Sequence, residues 1–275
     1  DRLATAFSPM PLKTGREADM KEALEWFDIV KPHFFRAPLD NDKGFGNWIA
    51  KDWKNNRLDS PETATVKPLD AKRNADGTVT VTTTQECRYA NGKITTDYVY
   101  TMDADGSVDF SATYTPEGQL PPLPCIGNTF LMDKDMTRLS WYGQGLQDSY
   151  VDRLEATGIG RWTSSVDQEY VHYPRPQSSG NHEQTVTLSL TDAKGRGYTV
   201  TTANATPFAF SALPYSEHQL STVAHDCDLH TENNVFLNID AAMMGLGNSS
   251  CGPGVLTKYS IPQKQHSLHV MFKRK

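Results

Sequence analysis

The sequence predicts an all-β protein of antiparallel strands, and three observations carry that reading. Apolar and polar residues alternate in short runs, the pattern of strands with one buried face. Turn dipeptides separate those runs at hairpin spacing. Helical periodicity is confined to three brief stretches, too few to supply the crossovers that parallel strands need, so a (β/α)₈ barrel is excluded.

Near the start, Met20, Ala23, Leu24 and Phe27 recur at helical spacing and predict a short helix. A weaker helical stretch covers 48–58. From Asp76-Gly77 onward alternation takes over, first in Val79 and Val81. Tyr98, Tyr100 and Met102 follow Asn91-Gly92, and Val108, Phe110, Ala112 and Tyr114 follow Asp105-Gly106. Together these read as a meander. The Pro-rich stretch from Pro116 to Pro124 is expected to cross between two halves of one large sandwich, because composition is alike on its two sides. Val186, Leu188 and Leu190, a turn at Asp192-Ala193-Lys194-Gly195, then Tyr198 and Val200 predict another hairpin. Phe208 with Phe210, Phe236 to Ile239, and Leu268 with Val270 and Phe272 complete the strands. Between them, Ser216-x-x-Gln219 resembles a capping box ahead of Leu220, Val223 and Ala224.

Composition narrows the function. Apolar residues make up 37% of the chain and 19 glycines bring it close to the usual globular share, so a packed core is expected. A chain of 275 residues buries enough surface to fold without disulfide staples. The net charge is −6, and no basic run exceeds Lys273-Arg274-Lys275. Nucleic acid and anionic membranes are therefore not expected partners, since the attraction that drives both is missing. No run approaches the length of a membrane span, and the first residues lack the apolar centre of a signal peptide. A soluble protein is expected, with cytoplasm and periplasm both open. The chain starts at Asp1, so a processed or excised piece is expected.

Cys87, Cys125, Cys227 and Cys251 form no C-x-x-C pair, which argues against a zinc ribbon or redox motif and for idle thiols. Asp40-x-Asp42-x-Gly44 faintly resembles a calcium loop, but Lys51 stands where the bidentate glutamate belongs. No metal and no cofactor are expected.

Four segments differ from ordinary turns by mixing Trp, Tyr, Arg, Asn and Asp, and all four are expected as loops between strands. They are Phe34 to Asp42, Trp141 to Arg153, Tyr173 to Asn181, and Asn238 to Gly254. Such mixtures suit sugars, because aromatic faces stack on the C–H side of a pyranose while amides, carboxylates and guanidinium groups meet its hydroxyls. Trp141, Tyr142 and Trp162 also suit a sandwich core.

In this order and spacing, Arg36-Ala37-Pro38-x-Asp40-Asn41-Asp42, Gly143-x-Gly145 through Tyr150-x-Asp152-Arg153, Tyr173-x-x-Pro176-Gln177-x-x-Gly180-Asn181 and Leu237-Asn238-Ile239-Asp240 through Met244-Gly245-x-Gly247 carry a resemblance. The chain resembles the C-terminal small-chain domain of family-two glycoside hydrolases of the β-galactosidase type. The resemblance covers residues 34–275, with 1–33 a lead-in. It implies a large antiparallel super-sandwich similar to galactose mutarotases, set as the last domain of a longer enzyme that could be a homo-oligomer.

The same resemblance places the two carboxylates of a retaining glycosidase on a barrel earlier in the parent, so this chain alone is expected to be catalytically silent and to hold no catalytic residue. Its expected partners are a β-galactoside or galactose and the remaining domains of the parent. The expected sugar contacts are Arg36, Asp40, Asn41, Tyr142, Arg175, Gln177, Asn181, Asn248 and Cys251. Cys251 stands where the best-known relatives carry a stacking Trp. Two alternatives are a free-standing mutarotase-like epimerase using His225 or His230, and a carbohydrate-binding module.

Overall fold

Residues 25, 26, 28–44 and 49–275 are described by a computed structural model. Among them, strands form two antiparallel sheets. The smaller contains, in spatial order, β1 (Val30–His33), β6 (Cys125–Asp133), β13 (Asn234–Met243), β12 (Phe208–Leu213) and β9 (His182–Thr185). The larger runs β2 (Glu62–Arg73), β3 (Val79–Tyr89), β4 (Gly92–Met102), β5 (Val108–Gly118), β14 (His266–Arg274), β11 (Gly197–Thr202), β10 (Thr187–Thr191), β7 (Arg138–Gly145) and β8 (Gly158–Ser165). Short α-helices lying wholly on described residues include α1 (Asp40–Lys43), α2 (Ile49–Asn56), α3 (Val166–Glu169) and α4 (Glu217–Thr222).

Alternation does the sorting. Along β5, Val108, Phe110, Ala112 and Tyr114 point inward and their neighbours are half-exposed. The inner faces of the two sheets meet through aromatic rings, Phe130 against Phe110 and Phe272, and Trp141 against Phe210. The predicted meander is present, with Val81 opposite Tyr100 and Tyr100 opposite Phe110. Strand β14 joins it to the later hairpin, pairing Val270 with Phe110 on one side and Phe272 with Val200 on the other. The Pro-rich stretch carries the chain from β5 in one sheet to β6 in the other.

Several strands lie where no alternation pointed to them. β2 is exposed over most of its length, so it has no buried face to read. β6 is buried on both faces over most of its length and presents a run in place of alternation, whereas β12, expected from Phe208 and Phe210, is present and likewise buried on both faces. On the outer face of β12, its last residue Leu213 packs with Ala37, Tyr170 and Leu220, which closes that face.

The predicted helix at 20–27 falls largely on residues outside those described. The stretch at 48–58 forms α2. Ser216 caps α4, its hydroxyl accepting from the Gln219 N–H at 3.2 Å. The reciprocal half of the box is replaced, since the Ser216 N–H donates to Glu232 at 3.1 Å, and α4 stops before Val223 and Ala224. Among the described residues no helix is long and apolar enough to cross a membrane.

Candidate functional site: a rim of interlocked loops

Chain order does not foretell that the four motif segments meet, yet each is hydrogen-bonded to at least two of the others. Not all of them are loops. The second begins inside β7, which runs to Gly145, and the fourth begins inside β13, because both open with residues that pair across a sheet.

Arg36 leaves β1 and enters the interior. Its Nη2 donates to Asp42 Oδ1 at 2.9 Å, its Nε to Asp42 Oδ2 at 3.2 Å, and its Nη1 to the Met244 carbonyl at 3.0 Å. Its guanidinium also lies over the rings of Trp53 and Tyr150, 5.7 and 5.8 Å from their centroids. One side chain therefore ties the first segment to α2 and to the second and fourth segments.

Asn41 continues the link. It donates to the Gly247 carbonyl at 2.8 Å and accepts from the Ser250 hydroxyl at 2.6 Å. Asp152 supplies the opposite support, its carboxylate accepting from the N–H groups of Leu246 and Gly247 at 2.8 to 3.1 Å. Arg153 then reaches the Gly247 carbonyl and, at 3.2 Å, Asn248 Oδ1.

The third segment closes the ring. Gln177 accepts from the Asp40 N–H at 3.0 Å, and the Ser178 N–H donates to the Ala37 carbonyl at 3.3 Å. Asn181 and Ser149 exchange bonds at 2.7 Å, and Gly180 donates its N–H to Asp148 at 2.9 Å. Gly180 has φ +73°, the left-handed region, which a side chain would strain. Beneath, Glu217 of α4 accepts from the Ala37 N–H and from Ser178 Oγ.

The expected sugar contacts are thus divided. Asp40, Arg175, Asn248 and Cys251 are exposed and Asn41 is half-buried. Arg36, Gln177 and Asn181 are 0, 4 and 2% exposed, with their polar groups turned to neighbouring loops. Direct contact was the expectation for these three. Their burial gives them the position of joints in the rim, because the loops they connect cover them. Tyr142 has none of these bonds. It projects from β7 with 41% of its surface exposed, with Arg161 5.5 Å from its ring centroid, whereas Trp141 is core.

Burial also sets the acids. It pushes the Asp148 carboxyl up to about 6 and the Glu183 carboxyl up to about 8, and raises Glu217. Glu217 and Glu183 fall outside the expected set. The only hint of either in the sequence is position: Glu217 sits in the capping box, and Glu183 two residues past the third motif.

A buried triplet lies behind the rim. His33 Nδ1 meets Asp240 Oδ1 at 2.7 Å and its Nε2 lies 3.8 Å from Cys125 Sγ. These residues are within reach of one metal ion. However, the two ring nitrogens address different partners, so the arrangement is a hydrogen-bonded chain. Burial lowers the His33 pKa, but Asp240 and Cys125 together more than offset this and hold the imidazole well above its ordinary value. Burial pushes the Cys125 thiol up to about 11, so it stays protonated at neutral pH. His225 and His230, the epimerase candidates, are both exposed after α4, where Asp226 engages Tyr170 and His172. Among the described residues, one close histidine–glutamate pair, His182 with Glu169 at 2.6 Å, is buried.

The fold and rim define a class: an antiparallel β-sandwich domain bearing a set of loops hydrogen-bonded to one another. Residues 12–272 match the family model described as beta galactosidase small chain, and the chain belongs to that family. A β-galactosidase from Streptococcus thermophilus is 32% identical over 218 residues, covering 79% of this chain and 21% of its own length. One from Bifidobacterium adolescentis is 35% identical over 186 residues, 66% of this chain and 17% of its own length. The chain therefore spans about a fifth of the length of these curated relatives. Among solved structures, a galactose mutarotase related enzyme from Lactobacillus acidophilus covers 75% of this chain and 71% of its own at 9% identity, with a TM-score of 0.37.

Proposed function

We propose that the chain is the C-terminal domain of a β-galactosidase-like glycoside hydrolase, whose rim walls one side of a cleft for a β-galactoside and supports the adjoining domains. The observation that carries this reading is the mutual locking of all four motif segments. A wall that must hold a sugar against chemistry performed elsewhere has to be rigid, since small misplacements of a bound substrate cost large factors in rate.

In this reading Asp40, Asn41, Arg175, Asn248 and Cys251 form the sugar-facing surface, and Arg36, Gln177 and Asn181 act by positioning them. The acid/base and nucleophile of a retaining mechanism come from a barrel outside this segment. The carboxylates at the rim support that division of labour. Asp42 is held by Arg36, Asp152 by backbone N–H groups, and Glu217 by Ala37 and Ser178.

The test is turnover of a chromogenic β-galactoside by this chain alone and mixed with a relative from which the small-chain segment has been deleted. Silence alone and activity in the mixture support the proposal. Turnover by the chain alone at enzyme-like rates overturns it.

A further inference from the structure

Beyond the rim, we propose that the cleft walled by Tyr142 and Glu183, where the ends of β7 and β8 approach β9, β12 and β13, is a second pyranose-binding site. This cleft has a volume of about 400 Å³, within the usual size of small-ligand pockets. Tyr142, Ile159 and Phe208 line it together with Glu183, Gln184 and Ala241.

Its chemistry is that of a neutral, hydroxyl-rich ligand with one apolar face. The exposed Tyr142 ring and Ile159, 57% exposed, offer the surface on which the C–H face of a pyranose stacks. Glu183 is built in from behind. Its N–H donates to Ser149 Oγ at 2.8 Å and its Oε1 accepts from Asn181 at 3.2 Å. Its other oxygen has no hydrogen-bond partner among the described residues and is not sealed from solvent, so it opens to the cleft. Because burial keeps this carboxyl protonated at neutral pH, it carries a proton to donate and no charge to repel a neutral ligand. Gln184 adds an amide whose oxygen is taken by Gln144 at 3.3 Å, leaving its own N–H groups to donate. It holds φ +53°, a strained value for a residue with a side chain, of the kind that gathers at ligand sites.

The test is titration of the 275-residue chain with methyl β-galactopyranoside, followed by backbone amide NMR shifts. Saturable shifts at Gln184, Val186 and Ala241 are expected. Tyr142→Phe should keep them, and Tyr142→Ala should weaken binding by about tenfold or more, the loss of one stacking face. Above pH 8 the wild type should bind more weakly as Glu183 loses its proton, while Glu183→Gln stays level. Absence of saturable shifts overturns the proposal, as does equal binding by Tyr142→Ala. Shifts confined to Asn248 through Cys251 overturn it too and place the sugar on the rim. Failure of the reconstitution described above leaves this outcome untouched, so the two readings fail separately.

Discussion

Arg36 and Asp42 form a two-point ion pair with both side chains buried, 0 and 1% exposed. Six residues apart, they fold the first motif into a closed turn, which the Leu39 N–H completes by donating to Asp42 Oδ2 at 2.9 Å. The pair is an internal clamp on the rim. Its strength depends on both members being present, because a buried charge left alone is costly.

Arg36→Met should therefore destabilise the chain by about 3–5 kcal/mol by leaving Asp42 unpaired. The double variant Arg36→Met with Asp42→Leu should lose less than the sum of the two single changes, since neither charge is then stranded. Urea unfolding of the four proteins measures this. Equal, additive losses would show that the pair is not a unit.

The Glu183 carboxyl titrates near 8 in the folded chain against 4.5 when free, so the folded state binds the extra proton across that window. Stability from this group is complete below pH 4 and declines as pH rises toward 8, the reverse of the usual carboxylate behaviour. The loss should be on the order of 3 kcal/mol between pH 5 and 8.5. Glu183→Gln should flatten that part of the profile. An unchanged profile in the variant would contradict the account.

Asp152 satisfies the N–H groups of Leu246 and Gly247 from outside their own loop. Asp152→Ala should speed hydrogen exchange at those two amides and cost about 1–3 kcal/mol. Exchange at Phe130 in the core should hold steady at matched global stability. Exchange measured by NMR separates a local opening from a general loss of stability.

Gly127 is required by close packing. A methyl group there would collide with the Ile239 carbonyl and the Asp240 carboxylate across the β6–β13 pair. Gly127→Ala should cost about 3 kcal/mol by thermal or urea unfolding.

Much of the fold was legible because its central strands face the core on one side only. Val108, Phe110, Ala112 and Tyr114 announce β5 by alternation, and Leu188 with Val200 marks a hairpin. β2 was not legible, since its exposed residues carry no burial signal, nor was the part of β7 from Trp141 to Gly145, whose aromatic and glycine content reads as a loop. For the site, the four motifs were visible as sequence but their mutual bonds were not. Asn41 and Ser250 lie more than two hundred positions apart, and no local pattern reports such a contact. Residue type also could not separate Arg36, a buried clamp, from Arg175, an exposed side chain.

The most direct test of the central claim is the steady-state kinetics of the reconstituted enzyme carrying Asn248→Ala or Cys251→Trp on the rim. The account predicts that Asn248→Ala raises KM for a β-galactoside and that Cys251→Trp lowers it by adding a stacking face, with kcat changed less than KM in both. Kinetic constants identical to those of the unmodified mixture would mean that the rim does not face the substrate, and the account would fall.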